Sequence, residues 1–395
     1  MARRPYWDPY DDAIRRSPYD AWRALRDEAP VYYNPRYEFY ALSRFDDVLA
    51  ASIDCETFSS AYGITLDDIG RKPEHPLMIM LDPPEHDVLR KIVSGLFTPR
   101  AILRLEARIR ELCAGYLEPF VGSRGFDYVR EFGMRLPVMV ISSLLGFPEE
   151  DHDQLREWSD AVLHREEGNE RLTEEGKRAQ DDSYRYYWNA VQERRRSPRD
   201  DLVSQLLSSE IDDGAGGRRA LTDVEAVRMI GLISAAGNET VARHLGWAAI
   251  VLGEWPDERR KLVADRALVP NAVEELLRFE APSPTQGRYA TRPATMHGTT
   301  IPAGSKVALL TGSAGRDERR YPDADRFDVG RKLDRHVTLG YGVHYCLGAA
   351  LARLEGRVAL EETLARFPEW HVDRSEVRLV ETNTVRGPAS CPIRW

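Results

Sequence analysis

The chain has 395 residues, 42% of them apolar and 30% charged, with a formal net charge of −9, the composition of a globular protein large enough to bury a substantial core. That acidity argues against non-specific binding to nucleic acid, and no apolar run reaches the roughly 18 residues of a membrane span. Four scattered cysteines, Cys55, Cys113, Cys346 and Cys391, form no Cys-x-x-Cys pair, which argues against both a disulfide scaffold and a cysteine zinc site.

From the start, Met1-Ala-Arg-Arg-Pro-Tyr-Trp-Asp8 lacks the apolar core of a signal peptide and any hydrophobic anchor, so a cytoplasmic location is expected. Residues 31–42 read as two short strands about a turn at Asn34-Pro35. Met78, Ile79 and Leu81 suit either a core or the wall of an apolar cavity. In Asp82–Arg90 the spacing of His86 and Arg90 puts both on one face of a helix. Helical patterns then dominate from about residue 86 to 280, with Cys113 as a small core residue and an exposed loop at Asp212–Gly217. His152, His164, His244, His297 and His336 read as solvated or internally satisfied.

Thr222-Asp-Val-Glu225 is a capping-box signature. Apolar periodicity follows to about Trp255, where Pro256 stops it, giving a helix roughly 50 Å long. Its middle reads Ala235-Ala236-Gly237-Asn238-Glu239-Thr240. A glycine there costs roughly 1 kcal/mol against alanine, and an acid beside a hydroxyl is the pairing a proton relay needs. Further on, Glu275 and Arg278 are neighbours on a helical face. Residues 288–311 return to short strands about a turn at Ile301–Gly304, and residues 371–395 are strand-like again.

Between them lies Gly340-Tyr-Gly-Val-His-Tyr-Cys-Leu-Gly348. Leu347, Leu351, Leu354 and Val358 recur at helical spacing, so a helix starts at or just after Cys346. There the helix dipole and free N–H groups favour a thiolate. Glycines on both sides let something flat and large approach the sulfur, and a thiolate so held can ligate haem iron. The fold class expected is mainly α with small β-sheets, without repeats or long linkers.

Over nearly the entire chain these motifs resemble, in order, those of the cytochrome P450 family. The haem loop, Phe-x-x-Gly-x-(His/Arg)-x-Cys-x-Gly, is matched by Gly342, His344, Cys346 and Gly348. The phenylalanine position holds Leu339, which removes an aromatic ring beside the sulfur; Gly315, where relatives often have asparagine, is a lesser departure. The oxygen-binding motif is matched by Ala236, Gly237, Glu239 and Thr240, and the Glu-x-x-Arg motif by Glu275 and Arg278. The resemblance implies a single P450 domain over 1–395, its long helix crossing over haem b. It makes Cys346 the axial ligand of the iron. Gly237 would let the long helix widen for dioxygen, Thr240 would hydrogen-bond the iron–oxygen unit, and Glu239 would feed protons.

By the same resemblance Arg326 joins the Glu275–Arg278 pair, and His86, Arg90, Arg288 and His344 hold the haem propionates. Met78, Ile233, Thr285, Thr384 and Val385 line the substrate pocket. The implied reaction is monooxygenation of a small hydrophobic substrate, with electrons from an iron–sulfur ferredoxin and its NAD(P)H-dependent reductase. Lys91, Arg100, Arg104, Arg108, Arg353 and Arg357 offer a basic docking face for such an acidic partner. Two other readings are a peroxide-driven peroxygenase, against which Glu239-Thr240 counts, and a haem protein that does not oxygenate.

Overall fold

The computed structural model describes residues 5–163, 172–212, 217–380, 382 and 384–395. The expected loop residues 213–216 and His164 lie outside the described residues. The chain forms two compact units, each assembled from segments distant in sequence: residues 1–86, 270–346 and 383–386 in the first, and 87–269, 347–382 and 387–395 in the second.

The first unit is built on a five-stranded mixed sheet. Strands Val31–Asn34 and Phe39–Leu42 form the expected hairpin, and the Asn34 side chain closes its turn by accepting from the Arg36 amide at 2.9 Å. Lys306–Leu309 lies parallel to the second strand and antiparallel to Gln286–Ala290, which pairs in turn with Phe58–Ser59. Strand alternation supplies both faces of the sheet with apolar side chains. Val31, Leu42, Val307 and Leu309 pack on the helix Phe45–Ile53, while Phe39, Ala41, Ala308 and Leu310 pack on Trp7, Trp22 and Leu25. Each fully buried side chain of this size contributes about 1.5–3 kcal/mol. The turn at Ile301–Gly304 forms with Gly304 at φ +88, its amide donating to the Ala290 carbonyl.

The second unit is helical. Its long helix spans Asp223–Glu254, and the Thr222–Glu225 capping box forms as the sequence predicts. Every residue from Val241 to Leu252 is buried, the pattern of a helix covered on all sides. Gly246 permits that closeness, since a Cβ there would fall 2.4 Å from Pro388. Helices Glu106–Leu117 and Ala349–Arg366 are joined by Arg110 to Glu361 and Glu362, and by Arg357 to Glu106. Short strands interrupt the region expected to be helical: Gly125–Asp127, which pairs with Pro392–Arg394, and the hairpin of Glu210–Asp212 with Arg218–Ala220. Three-residue strands are too short to register as alternation. Among the described residues no helix is long and apolar enough to cross a membrane.

Candidate functional site

In the first unit the cysteine loop is held by its own backbone and by the helix Val269–Phe279. Thr338 Oγ1 donates to the Leu277 carbonyl at 2.9 Å, fixing the loop's entry. Gly340 and Gly342 adopt φ of +71 and +69, and a Cβ on Gly342 would lie 2.8 Å from the Ser52 carbonyl. Only glycine fits that turn. The Tyr345 amide donates to the Gly342 carbonyl at 3.1 Å, and the Cys346 amide to the Leu339 carbonyl at 2.8 Å. Cys346 is half-buried, whereas Cys113 and Cys391 are fully buried. Burial pushes the Cys391 thiol up to about 12, so that side chain stays a thiol. In the second unit the helix after the loop spans Ala349–Arg366 with Gly348 at its N-cap; Cys346 thus precedes the cap.

Behind the loop, Glu275 and Arg278 are both fully buried and joined by two 2.7 Å hydrogen bonds from Arg278 Nε and Nη2. Arg278 Nη1 also donates to the carbonyls of Gly315 and Ala324. A Cβ on Gly315 would fall 2.3 Å from the Arg278 carbonyl, which explains the glycine at that position. The third member is Arg331, whose Nε donates to Glu275 Oε1 at 3.0 Å. The expectation of Arg326 is corrected: that residue gives its backbone carbonyl, which accepts from Arg278 Nη2 and Arg331 Nη2. A turn at Asp323, with φ +52 and an Arg326 amide bond to the Asp323 carbonyl, directs the peptide oxygen inward. The missed signal is Asp328-Val-Gly-Arg331, where Asp328 Oδ1 accepts from the Gly330 amide and sets Arg331 beyond a tight turn. Sequence reasoning also missed buried Glu280, which accepts from Arg316 at 3.0 Å, Arg386 at 2.6 Å and the Tyr19 hydroxyl at 2.5 Å.

Two of the expected propionate ligands meet directly: the His86 and His344 rings lie 4.5 Å apart. Arg288, 5% exposed, donates to the Gly287 carbonyl and has no carboxylate ion partner among the described residues. Burial pulls its pKa down to about 10, with Asp82 opposing. A guanidinium buried without a counter-ion calls for an anion, and a haem propionate fits that demand. Arg90, in the second unit on the helix Glu85–Leu96, is half-buried.

Along the long helix Thr240 Oγ1 donates to the Ala236 carbonyl at 2.9 Å. Glu239 is half-buried one turn before Arg243; burial lowers the Arg243 pKa, and the Glu239 and Asp160 charges oppose that. The helix continues through this segment without a break in its assignment. Gly237 also packs closely on the neighbouring helix Arg135–Leu145: a Cβ there would fall 2.7 Å from Ile141 Cδ1, a side-chain tip that can move.

Of the expected pocket residues, Met78, in the turn Met78–Met80, and Val385 are buried in the first unit, with Thr285 and Thr384 half-buried there. The Thr384 carbonyl accepts from Ser283 Oγ at 3.1 Å. Ile233 is buried on the long helix. Two members of the expected docking face are spent on acids, Arg108 on Glu111 and Glu149, and Arg357 on Glu106 and Glu361. Lys91, Arg100 and Arg104 are exposed. Three of these histidines make an internal hydrogen bond through Nε2: His152 with the Phe147 carbonyl, His297 with Asp47 and His336 with Glu274.

Comparison with known proteins gives one consistent result. The family described as Cytochrome P450 matches residues 169–389. Cytochrome P450 130 of Mycobacterium tuberculosis is 40% identical over 389 residues, covering 96% of this chain and 95% of its own. The vitamin D(3) 25-hydroxylase of Pseudonocardia autotrophica is 35% identical over 395 residues, covering 98% and 96%. Among solved structures, CYP109Q5 from Chondromyces apiculatus superposes with a TM-score of 0.90 at 33% identity, covering 99% of this chain and 98% of that one.

Proposed function

The chain belongs to the cytochrome P450 family and is a haem b monooxygenase acting on small organic molecules, and from that premise we propose how its own residues serve the reaction. Cys346 would supply the thiolate that holds the haem iron. The observation that carries this is a half-buried thiol in a loop closed by its own amides and anchored, through Thr338, to the helix of the buried Glu275–Arg278–Arg331 cluster. An axial ligand must be held in one geometry, and this scaffold supplies it. Arg288, Arg90, His344 and His86 would hold the propionates, Arg288 foremost because burial leaves it wanting an anion.

Bound haem activates dioxygen, so that one atom enters a C–H or C=C bond and the other leaves as water after two electrons and two protons arrive. The chain's part is to hold and move those protons. Glu239, one turn before Arg243, passes protons to Thr240. The Thr240 hydroxyl, donating to the Ala236 carbonyl, keeps lone pairs with which to accept a proton. The substrate is a small hydrophobic molecule bounded by Met78, Ile233, Thr285, Thr384 and Val385, a reading supported by the likeness to a vitamin D(3) hydroxylase. A ferredoxin, reduced by an NAD(P)H-dependent reductase, supplies the electrons and docks on Lys91, Arg100 and Arg104. One domain spans 1–395.

The test is the reduced carbon monoxide spectrum of the haem-loaded protein. It should show the Soret band of thiolate ligation, and Cys346→Ala should abolish it together with substrate oxidation; an unchanged spectrum in that variant removes the assignment. Turnover with peroxide but none with ferredoxin and reductase would replace the electron route.

A further inference from the structure

Within the second unit a cleft of about 100 Å3 opens where the helix His152–Leu163, the helix Glu174–Arg196, the helix Arg135–Leu145 and the long helix meet. The long helix contributes Gly231, Ser234, Ala235 and Asn238. At 3.6 residues per turn these four share one stripe, and Ala236 and Thr240 fall on the opposite one. The cleft therefore lies on the other side of the helix from Ala236 and Thr240.

Its chemistry is specific. Ile141, Phe147, Trp158 and Tyr187 supply apolar and aromatic walls, and no charged side chain is among the lining residues. Polar groups from Ser142, Gln180, Ser183 and Ser234 also line it, and Asn238, 8% exposed, stands among them. Its Nδ2 donates to Ser159 Oγ at 3.4 Å, while its Oδ1 is buried with no hydrogen-bond partner among the described residues. A buried acceptor left unpaired costs about 1–3 kcal/mol, which a ligand donor would recover. The volume is several times the roughly 10–15 Å3 one water needs, and of the order at which a single aromatic ring is held.

We propose that this cleft is a second ligand site, taking a neutral molecule of about one substituted ring that donates one O–H or N–H hydrogen bond to Asn238 Oδ1. The site stands on the cleft's own geometry and does not depend on the roles assigned to Cys346 or Thr240.

Phenol and toluene, alike in shape but differing in the donor, are the probes, titrated calorimetrically into the haem-loaded enzyme. Phenol should bind with a Kd of roughly millimolar or tighter, and toluene about tenfold more weakly for want of the hydrogen bond. Asn238→Leu should bring the two affinities to within about twofold, as the shared acceptor is gone. Ala235→Leu and Ser159→Leu, on different helices, fill the cleft and should each remove one phenol per chain; an unchanged Soret band shows that each variant is folded. No phenol binding by the wild type, or binding that both filling variants leave intact, overturns the proposal.

Discussion

Two buried carboxylates in this molecule solve the same electrostatic problem in opposite ways. Glu275, fully buried, is surrounded by donors: Arg278 and Arg331 donate to its oxygens and the Asp328 amide adds a third. Glu355, equally buried within the helix Ala349–Arg366, has neither oxygen hydrogen-bonded among the described residues, and burial pushes its carboxyl up to about 8. The first region surrounds its carboxylate with donors; the second excludes donors, so Glu355 keeps its proton at pH 7. The charged cluster specifies a loop geometry that apolar packing alone would leave loose. The neutral acid leaves a close-packed helix interior undisturbed.

Breaking the charged side should have the largest effect. Glu275→Gln leaves the Arg278 guanidinium buried without its counter-charge and should cost about 3–5 kcal/mol, read as a lower urea midpoint of the haem-loaded protein with earlier haem loss. A midpoint unchanged from wild type would mean the cluster is dispensable.

On the neutral side the sign is reversed. The folded pKa of Glu355, about 8, lies above its ordinary value of 4.5, so as pH rises the unfolded chain gives up this proton first. Stability from this group is therefore full below about 4.5 and declines toward pH 8. Glu355→Gln should remove that slope and raise stability at pH 8 by on the order of 2–4 kcal/mol, measured by urea unfolding at several pH values. A variant that is less stable than wild type at pH 8 would show that the carboxylate has a partner after all.

The third change separates two arginines of one loop. Arg331→Ala should cost about 1–3 kcal/mol through the lost hydrogen bonds to Glu275 and to the loop carbonyls. Arg326→Ala, whose wild-type contribution is a backbone carbonyl, should stay within about 0.5 kcal/mol. The reverse order would restore Arg326 as the side chain that matters. Smallest is Gly237→Ala: about 1 kcal/mol of helix propensity is gained against the displacement of the Ile141 methyl. Net stability should shift by under about 1 kcal/mol, and adding Ile141→Val should make the double variant more stable than Gly237→Ala alone.

The cysteine loop, the long helix and its capping box were legible because each rests on local rules. A turn needs glycine, a cap needs a hydroxyl and an acid, and a helix shows its period. The Glu275–Arg278 pair was legible by spacing alone. Its third member was not, since the choice between Arg326 and Arg331 depends on which way one peptide faces after the turn at Asp323. Glu355 looked like any helical glutamate, because nothing in Arg353-Leu-Glu-Gly356 states that the neighbouring helix covers it.

By itself, then, the sequence determined the order and type of the main elements, the cysteine loop and the family. Tertiary structure alone decided which charges are buried and how each is satisfied, that Gly237 packs against Ile141, and that Asn238 lines a cleft. The physical reason is range. Propensity, capping and periodicity act within a few residues, whereas burial and pairing depend on segments brought together from distant parts of the chain.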